Sequence, residues 1–240
     1  MRLDKFLANA GIGTRSEVKT EIKKKHITVN DCIIHDPGTA VSDKDVVCYK
    51  GIPVGAKKPQ YFMMNKPSGC VSATQDEGRT VLDYLKPEDR RDVFPVGRLD
   101  KDTEGLLLLT DDGMFAHNLM SPRKHVDKTY YFDGEGILEP HAVKQMAEGI
   151  DIGDEKLTKP ATLSIISEDI ATRKVSGTLT ISEGRYHQVK RMLAKTGVTV
   201  VYLKRISIGD VRLDETLAKG QYRSLTEEEL HLLSKGRSNK

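Results

Sequence analysis

The apolar positions of the chain change period along its length, and each change marks an element. Leu3, Phe6, Leu7 and Ala10 fall at i, i+3, i+4 and i+7, one face of a short helix that Gly11 and Gly13 end. Thr14 and Glu17 then form the S/T-x-x-E signature of a helix start, with Val18 and Ile22 on one face and lysines over much of the rest. Shorter apolar runs follow. Ile27 to Val29 and Cys32 to Ile34, around an Asn30-Asp31 turn, predict a hairpin, and Val46 to Tyr49 a further strand. Residues 51–59 hold Gly and Pro with lysines and no sustained period, which predicts a linker between a small domain (1–50) and a larger one (60–235).

Beyond the linker, strands dominate: Tyr61 to Met64, Leu106 to Thr110, Thr129 to Phe132, Thr162 to Ile166 and Val175 to Ile181. In the last, Val175, Leu179 and Ile181 share one face and Lys174, Thr178 and Thr180 the other, so that part of the sheet is covered on one side. Four successive leucines, Leu106 to Leu109, instead describe a strand buried on both faces. Helices are predicted at Phe115 to Met120, His141 to Gly149 and Tyr186 to Lys195, the last with Val189, Met192 and Leu193 as its buried stripe. Thr226 and Glu229 cap a C-terminal helix, and 236–240 form a frayed, disordered tail. The class is α+β.

Composition sets outer limits. The 240 residues carry 38 Lys+Arg against 35 Asp+Glu, and a net charge of +3 is too mild to announce a polyanion partner by itself. Its distribution says more, because Arg15, Lys19, Lys23, Lys24, Lys25 and His26 gather in one early stretch. Taken alone, such a run describes a solvated helix face. Cys32, Cys48 and Cys70 show no C-x-x-C spacing, so they are expected as reduced thiols of a cytoplasmic protein, with no metal. No apolar stretch approaches the roughly 20 residues that span a bilayer, and no membrane association is expected.

Chemistry concentrates before the leucine run. Gly97-Arg98-Leu99-Asp100-Lys101-Asp102-Thr103-Glu104-Gly105 is a charged, glycine-bounded loop entering a buried strand, with Arg98 positioned to keep Asp100 ionised. On pattern alone, a surface turn with incidental ion pairs fits as well as an active site.

The full wording, G-R-L-D-x-x-T-x-G-L-L-L-L-T-x-D-G, resembles the signature of the ribosomal small-subunit pseudouridine synthase A family. Three further segments match in order: Lys66-Pro67-Ser68-Gly69, Lys128-Thr129-Tyr130, and Glu183 to Met192 (EGRYHQVKRM). The first fifty residues resemble the alpha-L RNA-binding module. The resemblance implies a small RNA-binding domain followed by a mixed, mostly antiparallel sheet flanked by helices, the pseudouridine synthase fold. It implies isomerisation of a uridine in ribosomal RNA, with 16S as the expected target and the assembling small subunit as the expected partner. Catalysis on 23S or transfer RNA, and a non-catalytic RNA-binding protein, are the alternatives.

The resemblance also assigns residues. Asp100 is the essential carboxylate, acting on sugar or base or taking a ribose proton; all three routes require it ionised. Lys190 is the expected cation against it, with Arg185 second, and Tyr130 is the aromatic that stacks on the flipped uracil. Arg15, Ser16, Lys19, Lys23, Lys24 and Lys25 are expected on RNA phosphates, Arg98 as a phosphate clamp or base wedge, and Arg185 and His187 as RNA contacts. The chemistry is redox-neutral and no glycine-rich nucleotide loop is present, so no cofactor is expected. A monomer is expected.

Overall fold

In a computed structural model the described residues are 1–42, 44–55, 59–121 and 126–235, and they divide into two compact units, 1–59 and 60 onward. The tail expected at 236–240 lies outside them, as do residues 56–58 of the expected linker.

The first unit begins with α1 (Leu3–Asn9) and α2 (Arg15–Lys23). Thr14 caps α2 as its spacing predicts: Glu17 N–H donates to Thr14 Oγ1 at 3.3 Å and Thr14 N–H to Glu17 Oε2 at 2.6 Å. A four-stranded antiparallel sheet follows, ordered β2-β1-β3-β4, from β1 (Ile27–Val29), β2 (Cys32–Ile33), β3 (Val47–Tyr49) and β4 (Ile52–Pro53). Leu3, Phe6, Leu7, Val18, Ile22, Ile27 and Val47 are buried together. Strand β4 falls where a linker was expected: Ile52 pairs with Tyr49, and the Pro53 ring, which donates no hydrogen bond, is tolerated because the strand is an edge.

The second unit is a nine-stranded mixed sheet. In chain order its elements are β5 (Tyr61–Lys66), β6 (Phe94–Pro95), β7 (Glu104–Thr110), α3 (Gly113–Met120), β8 (Lys128–Gly136), α4 (Ala142–Glu148), β9 (Thr162–Asp169), β10 (Lys174–Ile181), α5 (Gln188–Lys195), β11 (Val198–Ile208), β12 (Val211–Arg212), β13 (Tyr222–Ser224) and α6 (Glu227–Lys235). The main path runs β13-β5-β7-β11-β8-β10-β9, with β6 beside β7 and β12 beside β11. Only β7 and β11 pair in parallel among the described residues.

Every residue of β7 is buried, because the centre of the sheet is covered on both faces. Leu107 and Leu109 enter one core with Phe132, Leu179, Val189, Met192 and Met146, while Leu106 and Leu108 enter another with Met63, Ala116, Leu119 and Leu233. Toward the β9 edge the pattern changes to alternation; in β10 Val175, Gly177, Leu179 and Ile181 are buried and the residues between them are half-buried. Helix α5 starts at Gln188, two residues later than the periodicity predicts. His187 adopts the left-handed conformation (φ 48°, ψ 33°), which a helix cannot contain.

Candidate active site

The expected motifs meet along one lateral row of the sheet. Across it, Lys66 pairs with Gly105, Gly105 with Arg205, Arg205 with Tyr130, and Tyr130 with Leu179. One position from each of β5, β7, β11, β8 and β10 is thereby aligned. The row has no room for a side chain at Gly105, where φ is 98° and an added Cβ would lie 2.3 Å from the Arg205 carbonyl oxygen.

Lys66 organises the loop before β7. Its side chain is wholly buried, and its ammonium donates to the carbonyls of Thr103 (2.9 Å), Asp100 (3.1 Å), Pro67 (3.1 Å) and Lys101 (3.3 Å). Burial pushes its pKa down; the carbonyl dipoles around it are the compensation for a buried charge. Gly69 N–H donates to the Lys101 carbonyl at 2.8 Å, and Ser72 Oγ both accepts from Leu99 N–H (3.1 Å) and donates to its carbonyl (3.0 Å). The Lys66-Pro67-Ser68-Gly69 segment is therefore a latch that fixes the backbone on either side of Asp100.

The Asp100 side chain is 31 % exposed, open to a substrate. Its Oδ1 lies 3.6 Å from His187 Nε2 and its Oδ2 lies 3.8 Å from Lys190 Nζ. Lys190 makes its short contacts elsewhere, donating to both carboxylate oxygens of Asp102 at 2.7 Å and holding that carboxyl below its usual range. The expected Lys190–Asp100 pair thus exists as a longer contact shared with a neighbouring acid. Arg98, expected beside Asp100, is exposed and makes no ion pair with it; among the described residues the side-chain nitrogens within 4 Å of the Asp100 carboxylate are those of His187 and Lys190.

Arg185, the second candidate for Asp100, is committed to another task. It donates to the carbonyls of Lys156 and Leu157, both at 2.7 Å, and to Asp154 and Glu183 at 3.3 Å. Arg191 adds bonds to the Tyr186 carbonyl (3.0 Å), the Ile152 carbonyl (2.5 Å) and Asp154 (2.5 Å). With these acceptors satisfied, the two guanidiniums clamp the 183–187 turn onto the 152–157 segment rather than facing the carboxylate.

Tyr130 is 9 % exposed on the inward face of β8. Its hydroxyl accepts from Arg205 Nη1 at 3.4 Å, and the guanidinium carbon stands 5.9 Å from the ring centroid. Arg205 is itself 4 % exposed; its Nε donates to the Leu106 carbonyl at 2.8 Å, and its buried Nη2 has no partner among the described residues. Sequence reasoning gave no role to Lys66, Asp102 or Arg205. The available signal was a lysine or arginine embedded in an apolar run, an unusual place for a cation unless it is paired.

In the first unit Arg15, Ser16, Lys19, Lys23 and Lys25 are exposed. Lys24 is also exposed but pairs with Glu21 at 3.0 Å. Glu21 takes further bonds from His26 (2.8 Å) and the Tyr49 hydroxyl (2.9 Å), and His26 first, then Lys24 and Tyr49, draw its pKa down to about 2.

The RNA pseudouridylate synthase model matches residues 60–195 and the S4 domain model residues 1–47. The chain belongs to the RNA pseudouridylate synthase family. The synthase is 48% identical to an uncharacterized RNA pseudouridine synthase, YtzG, of Bacillus subtilis over 98% of both chains. It is 45% identical to ribosomal small subunit pseudouridine synthase A of Salmonella typhimurium, and 43% identical to the Escherichia coli protein of that name, over 96% of this chain and 98% of each relative. A crystal structure of a pseudouridylate synthase, 41% identical, matches it with a TM-score of 0.67 over 97% of this chain and 99% of that one. The synthase is an isomerase: in uridine of RNA the bond between uracil N1 and ribose C1′ is replaced by one from C5 to C1′, C5 giving up its proton and N1 gaining one. The S4 domain supplies RNA binding.

Proposed function

We propose that this synthase modifies a uridine of small-subunit ribosomal RNA and that Asp100 is the carboxylate that acts at the glycosidic bond. The observation that carries the assignment is the setting of Asp100: a half-exposed carboxylate on a loop locked from beneath by buried Lys66, with the His187 imidazole and the Lys190 ammonium within 4 Å of it. A carboxylate flanked by a lysine ammonium and an imidazole on a fixed loop is held in place, which each route through sugar, base or ribose proton needs. The identity to relatives named for the small subunit supports the substrate.

In this reading Lys190 is delivered to Asp100 from Asp102, and Tyr130 presents to the uracil the small part of its surface that is open, its hydroxyl fixed by Arg205. The exposed cations of α2 and the residues after it, Arg15, Lys19, Lys23, Lys24 and Lys25, with Ser16, hold RNA phosphates, as do Arg98 and His187. A target base inside folded RNA leaves its stack at a cost of about a few kcal/mol, which those contacts offset. We place the enzyme in the cytoplasm as a monomer working on the assembling subunit, a location in which its free cysteines would stay reduced.

The test is release of tritium from C5-labelled uracil in 16S and 23S transcripts and in partly assembled small subunits, with wild type and Asp100→Asn. Release from the small-subunit RNA alone, lost in the variant, is expected. Release from 23S alone would move the target, and full activity in the variant would remove Asp100 from the reaction.

A further inference from the structure

Tyr186 is 77 % exposed, stands beside the proposed active site and belongs to no core cluster. Its ring lies flat on the imidazole of His187, with centroids 3.9 Å apart and planes 18° from parallel. The same imidazole reaches to 3.6 Å from Asp100. A stacked pair thus extends from the carboxylate outward to an open aromatic face.

The backbone beneath the pair is held firmly. His187 is in the left-handed region, which costs a non-glycine residue free energy and persists where surrounding contacts enforce it. Those contacts are present: Arg191 holds the Tyr186 carbonyl, Gln188 Oε1 accepts from Arg185 N–H at 2.9 Å, and Gln188 Nε2 donates to Glu183 at 2.9 Å. An exposed tyrosine that contributes nothing to a core gains nothing in stability from so fixed a mounting.

We propose that Tyr186, backed by His187, is a stacking platform for a nucleobase adjacent to the target uridine, and so a residue that positions the RNA strand. The inference rests on the reading of Asp100 as the reacting carboxylate. Aromatic faces interleaved with cations are what single-stranded RNA recognises, since each base has a face to stack and each phosphate a charge to neutralise. Lys190 supplies the cation here, with the His187 imidazole beside it. Once the target base is flipped out, its neighbour has lost a stacking partner, and the outward ring of Tyr186 replaces it.

The chain contains no tryptophan, so Tyr186→Trp places the variant's one tryptophan, excited apart from the tyrosines, on the platform. A short oligouridylate is expected to quench it saturably, and an abasic ribose phosphate oligomer of equal length to leave it bright. Equal responses to both would reduce the contact to electrostatics and overturn the proposal. On small-subunit RNA, Tyr186→Ala is expected to raise KM about tenfold with kcat changed less than about twofold, the scale of one base–aromatic stack, and Tyr186→Phe to behave as wild type. An unchanged KM in Tyr186→Ala, with the melting temperature also unchanged, would likewise overturn it. The fluorescence readout does not need turnover, so a wild type that releases no tritium would defeat the reading of the substrate and leave the platform separately tested.

Discussion

Lys66 and Asp100 are joined through the backbone: the buried Lys66 ammonium donates to the Asp100 carbonyl at 3.1 Å, and so fixes the chain from which the carboxylate we propose to react projects. The arrangement separates two tasks along one short loop. Carbonyls face inward to a cation, and the carboxylate stays partly exposed.

Lys66→Met tests that division. Methionine fills much of the same volume but takes the ammonium from the Asp100, Lys101 and Thr103 carbonyls, leaving the first two with only the Thr103 and Gly69 N–H groups, and buried acceptors that lose a donor are costly. A loss of about 2–4 kcal/mol in stability is expected by urea denaturation. Because the loop also loses its register, kcat should fall at temperatures where the variant is still folded. A folded variant with wild-type kcat would show that the latch serves stability alone.

Asp100 and Asp102 lie two residues apart and both contact Lys190, yet opposite outcomes are expected from removing them. Asp100→Asn should abolish turnover while RNA affinity, measured by filter binding, stays within about threefold. Asp102→Asn removes the acid that holds Lys190 at 2.7 Å and frees that ammonium for Asp100 3.8 Å away. Turnover should then change by less than about tenfold, a modest electrostatic adjustment at an exposed pair. Loss of activity in Asp102→Asn as deep as in Asp100→Asn would mean that the carboxylate role had been placed on the wrong residue or is shared.

The leucine strand, both capping boxes and the half-covered β10 are legible because each rests on local spacing, and the structure bears them out. The eleven-residue β11 was not legible, although it is central. Its register shifts between Val200 and Tyr202 and again between Arg205 and Ser207, so inward and outward positions exchange along VTVVYLKRISI and no period of two survives. Arg205 was lost with it. The place of Asp100 in a signature was visible, but Lys66 beneath it was not, since which carbonyls converge on an ammonium is decided by a loop closure 34 residues away. Arg185 misled for a related reason: the motif offers several cations, and only the fold shows that this one is spent on the 152–157 segment.

For the first unit, the lysine stretch makes a graded prediction. Lys23 and Lys25 are exposed, whereas Lys24 is already paired with Glu21. Each lysine that neutralises a phosphate adds about 0.7–0.9 to the slope of log affinity against log salt. Replacing all three with Ala should therefore flatten the slope by about 1.5–2 rather than by the full value for three. An unchanged slope would return these lysines to a merely solvated face of the domain.

Lys128, two residues before Tyr130 on β8, should make stability depend on pH in the alkaline range. It is 8 % exposed and donates to the Val126 carbonyl at 2.7 Å; burial first, then the positive charge of Arg205, push its pKa down to about 8, with Asp127 opposing and Lys159 assisting. An unfolded lysine titrates near 10.4. Between those values the unfolded chain holds a proton that the folded chain has released, so the Lys128 contribution to stability rises with pH through that window. Below about pH 8 both states are protonated and the whole cost of the buried charge is felt. Lys128→Met removes the charge, and its stability relative to wild type should be greatest near pH 7 and fall by on the order of 1–3 kcal/mol by pH 10. Urea denaturation of both proteins across that range measures the difference directly, free of the tyrosines and surface lysines they share. A gap that stays constant with pH would mean that the ammonium is not strained by its burial, and that the Val126 carbonyl compensates it fully.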